Sequence, residues 1–224
     1  VSCKVSFEVI STGSKGNAVV LENQVLIDCG ISFKALRHVV RNLRLVLLTH
    51  IHSDHFNPTA IRLLAEERPA LRFGCGKWLA NDVLKCGVPA SNVDVLCERI
   101  SYGYGLCNVI PVRLHHNVPN FGYKVFFPHG KVFYATDTNN LNGITARDYD
   151  LYLIEANYVD EEIQQRIAAK KETGEYPYEY QVLKNHLSKA KCDDFIYRNI
   201  GRNGMYVYLH THLGKEESDE RPTD

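Results

Sequence analysis

No apolar run in the 224 residues approaches the ~20 that a bilayer-spanning helix needs, and the first residues carry no signal-peptide pattern. No charge of one sign prevails: 26 Lys and Arg stand against 26 Asp and Glu, giving a pI near 7.2. A protein that grips long nucleic acid through its phosphates carries a basic excess or stripe. Here the densest basic stretches, 37–44 and 184–191, are short. There is no C-x-x-C pair, and the seven Cys (3, 29, 75, 86, 97, 107 and 192) are odd in number and irregularly spaced. A disulfide framework is therefore not expected; buried thiols in a reducing compartment are. Internal repeats and low-complexity linkers are absent as well. One domain over 1–214 is expected, followed by a polar, acid-rich tail at 215–224.

What is present is ordinary globular composition, 45% hydrophobic and 23% charged, which excludes a disordered chain. Strand-like runs at 5–10, 18–21 and 25–27 flank a turn over Gly13-Ser14-Lys15-Gly16-Asn17. Residues 33–40 look helical. Residues 45–48 are wholly apolar, as in a strand buried on both faces, and the run stops abruptly at a polar loop, 49–57. Asn57 and Pro58 then open a helix that runs to about Glu67. Further strand-like runs lie at 71–73, 93–96, 109–114, 123–127, 132–135, 151–154 and 205–209. Polar helices are expected at 160–171, ending near Gly174, and from Ser188 to Arg198. Many strands among few helices predict a layered α/β sandwich rather than a bundle.

The chemistry is in the histidines. His50, His52, Asp54 and His55 form H-x-H-x-D-H directly after the apolar strand, a string that chance would give about once in a thousand such chains. Imidazole nitrogens with a carboxylate suit Zn²⁺ and neighbouring divalent ions. On an extended loop His50 and His52 point the same way, and Asp54 and His55 can turn toward a second centre.

The run Thr49-His50-Ile51-His52-Ser53-Asp54-His55-Phe56 resembles the signature loop of the metallo-β-lactamase fold, which implies a four-layer αββα sandwich. Other segments follow the same family in order. Leu26-Ile27-Asp28-Cys29-Gly30 is similar to its strand-end Asp, which orders the site without binding metal. His116-Asn117-Val118-Pro119 with Gly122-Tyr123 resembles the ribonuclease Z branch. Phe133-Tyr134-Ala135-Thr136-Asp137-Thr138 resembles the strand that ends in a metal-bridging Asp, and His212-Leu213 resembles the last ligand. The resemblance implies two divalent ions, Zn or alternatively Mn. One would be held by His50, His52 and His116 and the other by Asp54, His55 and His212, with Asp137 between them. His115 and His210 are read as supporting or core histidines.

Leu153-Ile154-Glu155-Ala156-Asn157 and Asn185-His186-Leu187-Ser188 resemble steps shared by ribonuclease Z and the YycJ-type bacterial exonucleases. That likeness implies a relay outside the metal shell, in which His186 protonates the leaving alkoxide and Glu155 orients it; Asp54, Glu155 and His186 are the candidate catalytic residues. The reaction implied is phosphodiester hydrolysis by a metal-activated hydroxide. One modest insertion, 158–181, carries Tyr176-Pro177-Tyr178-Glu179-Tyr180 and reads as a lid, a dimer contact or plain packing ahead of a base-stacking platform. Neutral charge, compact length and the absence of an extended arm favour a small nucleotide over a polymer. The chain resembles compact phage enzymes that hydrolyse 3′,5′-cyclic mononucleotides (anti-Pycsar phosphodiesterases), which implies a homodimer in the cytoplasm of an infected host. It resembles the YycJ-type exonucleases nearly as well, including residues 11–17, which implies a nucleic-acid end as substrate in a bacterial cytoplasm. A metallo-hydrolase of thioesters or lactams would keep the ligands without needing Glu155 and His186. No membrane partner is expected.

Overall fold

The computed structural model describes residues 4–211. Six strands form a first sheet in sequential order: β1 (Phe7–Ser11), β2 (Ala18–Leu21), β3 (Val25–Ile27), β4 (Leu45–Leu48), β5 (Arg72–Gly76) and β6 (Val93–Leu96). The pairs from β3 to β6 are parallel. Six more form the second sheet: β7 (Tyr102–Gly103), β8 (Asn108–Leu114), β9 (Asn120–Phe127), β10 (Gly130–Ala135), β11 (Leu151–Glu155) and β12 (Met205–Leu209). Its β10–β11–β12 portion is parallel, and β8 runs the same way because two antiparallel steps separate it from β10.

The apolar runs are continuous because both faces of each sheet are covered. On β4, Leu45 and Leu47 point into the core between the sheets, where they join Tyr123, Val132, Tyr134 and Leu153. Val46 and Leu48 point the other way, as alternation along a strand requires. There they meet the helices α1 (Phe33–Val40), α2 (Pro58–Glu67) and α3 (Lys77–Lys85). The outer face of the second sheet, through Phe133, Tyr152 and Ile154, is covered by Cys192, Phe195 and Ile196 of α6 (Lys189–Asn199). The result is the expected αββα layering. Between β11 and α6 lie α4 (Asp160–Thr173) and α5 (Glu179–Asn185), which share a small satellite core of Tyr158, Ile163, Ile167 and Tyr180. Tyr158 and Tyr180 of the insertion are thus packing residues, while Tyr176 and Tyr178 are exposed.

Asn57 and Ser188 cap α2 and α6 as their sequence positions suggest, each side chain accepting a backbone N–H three residues on. The helices α3 and α5 and the two-residue β7 go beyond the sequence expectation. Helix α3 buries only Leu79 and Val83 and has no side-chain cap; α5 has seven residues. Strand β5 continues past the strand-like run expected at 71–73 through Gly74-Cys75-Gly76. At Gly74 an added Cβ would stand 3.0 Å from Leu47 and 3.1 Å from Leu96, so glycine there serves close packing within the sheet. No helix among the described residues is long and apolar enough to cross a membrane.

Candidate metal centre

The parallel strands bring six chemistry-bearing positions to one edge of the sandwich. Asp28 follows β3, His50 lies two residues past β4, His116 two past β8 and Asp137 two past β10; Glu155 ends β11 and His210 follows β12. Sites on open α/β sheets lie at these carboxyl ends. Asp28, Asp137 and His210 have φ values of 62°, 56° and 50°. That left-handed conformation is uncommon outside glycine and collects at functional positions.

Asp28 is buried and organises the loop after β4. Its carboxylate accepts the Thr49 N–H at 2.9 Å, the Thr49 hydroxyl at 2.9 Å, the Tyr134 hydroxyl at 3.2 Å and His55 Nδ1–H at 2.7 Å. The Thr49 proton is spent on Asp28, so its oxygen can accept His50 Nδ1–H, 2.9 Å away. His116 Nδ1 lies 3.0 Å from the Asn185 carbonyl, which can only accept. These partners fix the tautomers. His50, His55 and His116 all present an unprotonated Nε2 to the interior whenever the ring is neutral.

The first donor group follows directly. His50 Nε2 lies 3.1 Å from His52 Nδ1, which lies 3.3 Å from His116 Nε2. Burial holds both His50 and His116 below the usual imidazole range, so these rings are neutral. A proton on His52 Nδ1 can serve only one of the two nitrogens that face it, and the lone pair left over suits a cation. All three ligand atoms lie within 4.8 Å of one another, as the trio His50, His52 and His116 requires.

Asp137 joins the two halves. With His50 and His55 it forms a second compact group; His55 Nε2 is 2.9 Å from Asp137 Oδ2, yet that buried oxygen has no satisfactory hydrogen bond. An oxygen so placed, with ring nitrogens of His55 and His210 2.9 and 3.4 Å away, fits a cation between them. Burial would raise the Asp137 carboxyl, but His55 and His210 hold it well below the carboxylate range. Burial likewise opposes a charge on His55, and Asp137 and Asp28 overcome it. Asp54 sits at the rim, its Oδ2 3.5 Å from His55 Nε2 and 3.4 Å from Asn17 Nδ2. It is outside the three tight donor groups among the described residues.

Beside Asp137 is a third group: Asp137, Glu155, His186 and His210. Glu155 is fully buried. Its Oε2 accepts the N–H groups of Thr138 at 3.0 Å and Leu187 at 3.3 Å, and its Oε1 is 2.5 Å from His186 Nδ1. Despite burial, Glu155 raises His186, and His186 and His210 in turn lower Glu155. His210 Nδ1 lies 3.4 Å from Asp137 Oδ2 and 3.3 Å from Glu155 Oε1, and against its burial these carboxylates push it up to about 10. His210 therefore belongs to the cluster, where the sequence reading has a supporting or core histidine. His212 lies outside the described residues. His115 is exposed and outside the groups; its backbone N–H reaches Thr138 Oγ1.

Three further contributors are given no role by the sequence. Asn17 is buried; its Nδ2 lies 2.9 Å from His55 Nε2, and its backbone N–H donates to the Asp54 carbonyl at 2.6 Å. Its turn also supplies Thr12, whose hydroxyl accepts the His210 N–H at 2.7 Å. Asn185 acts through its carbonyl, which no side-chain motif reveals. For His210 a signal does exist: it directly follows an apolar strand, the same rule that marks Asp28.

A family model described as a beta-lactamase superfamily domain matches residues 23–177. No curated protein matches the chain. Among solved structures, the metallo-beta-lactamase fold protein YhfI from Bacillus subtilis is similar at 15% identity and a TM-score of 0.72, over 94% of this chain and 88% of that one. Human tRNase Z, short form (ELAC1), is similar at 18% identity and a TM-score of 0.66, over 92% of each chain. Zn(2+)-bound PqqB from Methylobacterium extorquens is similar at 10% identity and a TM-score of 0.61, over 92% of this chain and 88% of that one. With the family model spanning most of the sandwich and the His/Asp donor groups at its edge, the chain belongs to the metallo-β-lactamase superfamily and carries the metal-binding clusters of its hydrolases.

Proposed function

We propose that the chain is a two-metal phosphodiesterase, with 3′,5′-cyclic mononucleotides as the favoured substrates. The observation that carries this reading is the Glu155–His186 pair, 2.5 Å apart and beside Asp137. Hydrolysis of lactams or thioesters needs no such pair, whereas expelling an alkoxide gains roughly 10²–10⁴ in rate from a positioned acid.

Divalent ions bound by His50, His52, His116, Asp137, His55 and His210, with Asp54 at the rim, would supply Lewis-acid polarisation of the phosphoryl oxygens and a nucleophile at neutral pH. The protein residues do the rest. Asp28 holds His55 and, through Thr49, His50 in the ligating tautomer. Glu155 accepts from His186 Nδ1, so the opposite ring nitrogen, Nε2, faces away from the carboxylate and can carry the proton for the leaving oxygen. The two backbone N–H groups on Glu155 keep it anionic and fixed while His186 changes protonation. A small substrate is supported by the zero net charge and by the position of the arginine cluster, which lies at the far end of the strands rather than at the mouth of the site. The fold shared with a tRNase Z supports a nuclease as the second reading.

The test is a turnover screen of zinc-loaded protein on cyclic mononucleotides and on single- and double-stranded oligonucleotides, with Asp137→Ala as the inactive control. Asp137-dependent opening of cyclic nucleotides with intact oligonucleotides is expected; the reverse pattern makes the chain a nuclease. His186→Gln should lower kcat by about 10²–10⁴ on an alkoxide leaving group. On a bis(p-nitrophenyl) ester, whose leaving group needs no proton, the loss should be far smaller, with metal content unchanged. Equal losses on both substrates, or a lost metal ion, would remove the general-acid role.

A further inference from the structure

A cavity of about 510 Å³ lies at the end of the sandwich opposite the metal centre, lined among others by Arg44, Arg68, Arg72, Asp94, Tyr102 and Tyr104. A shallower one of about 440 Å³ shares Arg44 and Arg68 and adds Arg41. Arg44 immediately precedes β4 and Arg72 opens β5, and the Arg72 N–H donates to the Arg44 carbonyl at 3.3 Å. The guanidinium groups thus stand on the framework of the sheet rather than on a free loop. His50 is six residues along the same chain direction, about 20 Å at strand rise, so a ligand here does not compete for the metal site.

The charges in this cavity are not balanced. Asp94 is occupied by Arg72, whose Nε donates to it at 2.9 Å, and Arg72 Nη1 donates to the Ser91 carbonyl at 3.0 Å. Glu22, at the edge of the shallower cavity, accepts the Ser6 N–H at 2.6 Å and faces His129 Nε2 at 3.2 Å. Arg68 spends one N–H on the Leu43 carbonyl at 3.3 Å. Among the described residues, Arg41 and Arg44 form no ion pair. In a chain of zero net charge, this leaves two uncompensated guanidinium groups, Arg44 and Arg68, in the larger hollow and Arg41 beside them in the adjoining one. Their planar forks match phosphate oxygens bidentately. The same cavity is lined by Tyr102 of β7 and by Tyr104 just after it; the Tyr102 ring is held by its hydroxyl, which accepts the Cys97 N–H at 2.8 Å. The volume suits a small ligand, and tyrosines lining a cavity together with arginines suit an aromatic base attached to phosphate.

We propose that this cavity is a second binding site, distinct from the metal centre, for a nucleoside phosphate, with Arg44 and Arg68 on the phosphates, Arg41 next to them in the adjoining hollow, and Tyr102 and Tyr104 near the base. The experiment is a titration of zinc-loaded, ¹⁵N-labelled protein with ADP and, separately, with inorganic pyrophosphate, read from amide shifts. ADP should shift residues 43–44, 68–72 and 102–106 saturably and bind several-fold more tightly than pyrophosphate. Arg44→Ser should weaken ADP binding about tenfold, the loss of one charge-assisted contact, with an unchanged unfolding temperature, and Arg44→Lys should weaken it less. Shifts confined to residues 49–55 and 137 would assign the ligand to the metal centre and overturn the proposal. Pyrophosphate binding as tightly as ADP, or Arg44→Ser binding unchanged, would overturn it too.

Discussion

Gly30→Ala isolates the part that packing alone plays in building the metal centre. A Cβ at residue 30 would stand 1.7 Å from the Asp54 carbonyl oxygen, 2.1 Å from its carbon and 2.7 Å from the His55 nitrogen. Every atom in conflict is backbone, so no side-chain rotation relieves it, and the Asp54–His55 peptide must withdraw by more than about 1 Å to reach van der Waals contact. That movement pulls the Asp54 carbonyl from the Asn17 N–H, now 2.6 Å away, and strains the Gly30 N–H bond to the Asn17 carbonyl at 3.0 Å. It also carries His55 away from Asp137. Overpacking of this kind costs about 1–3 kcal/mol of stability, and a 1 Å misplacement of reacting groups costs about 10²-fold in rate. The assay pairs thermal unfolding with metal analysis and hydrolysis of bis(p-nitrophenyl) phosphate. Gly143→Ala is the control, since nothing stands within 4 Å of a Cβ there and only its φ of 74° is strained. The control should lose about 1 kcal/mol of stability and keep its metal. If Gly30→Ala keeps both metal affinity and turnover, the signature loop is not held in place by its approach to Gly30, and the reasoning fails.

Two other perturbations probe separate links. On the proposed two-metal reading, His210→Ala should lower the metal content toward one ion per chain, because His210 is packed against Asp137 and Glu155; unchanged stoichiometry together with loss of an ion in His212→Ala would return the ligand role to His212. Asp150 lies far from the site, where burial would raise its carboxyl but the Lys131 N–H at 2.9 Å and Lys4 Nζ at 3.1 Å lower it. A carboxylate depressed in the folded state adds stability above its unfolded value of about 3.9 and loses it as pH falls through the lower folded value. Asp150→Asn should therefore cost about 1 kcal/mol in urea unfolding at pH 7, modest because Lys4 is exposed, and the gap should close below about pH 4; a gap that persists there would mean the loss is not electrostatic.

The residues that could be read from the sequence are those whose environment is local. Leu45–Leu48 needs burial on both faces to make sense of four consecutive apolar side chains, and the two sheets and the helix layer provide it. The strand also fixes where His50 and His52 must emerge, so a short string and one strand end suffice to locate two of the three members of the first donor group. Asp28 was legible through the resemblance of Leu26-Ile27-Asp28-Cys29-Gly30 to the family's strand-end Asp. What was hidden depends on atoms that sequence patterns do not rank. Asn17 works through an amide and a backbone N–H in a glycine-bounded turn, and Asn185 through a carbonyl that any residue type would possess. Helix α3 is short and buries two side chains, too few for periodicity to separate it from the glycine-flanked strand before it. The choice between His210 and His212 shows the limit most sharply. Motif spacing favours the histidine followed by Leu213, while the rule that ligands follow parallel strands favours His210, which directly succeeds Leu209 and is turned inward by a φ of 50°. Fold geometry and motif spacing rank the same two residues differently, and in the described part of the chain it is the strand end that brings a ring to Asp137.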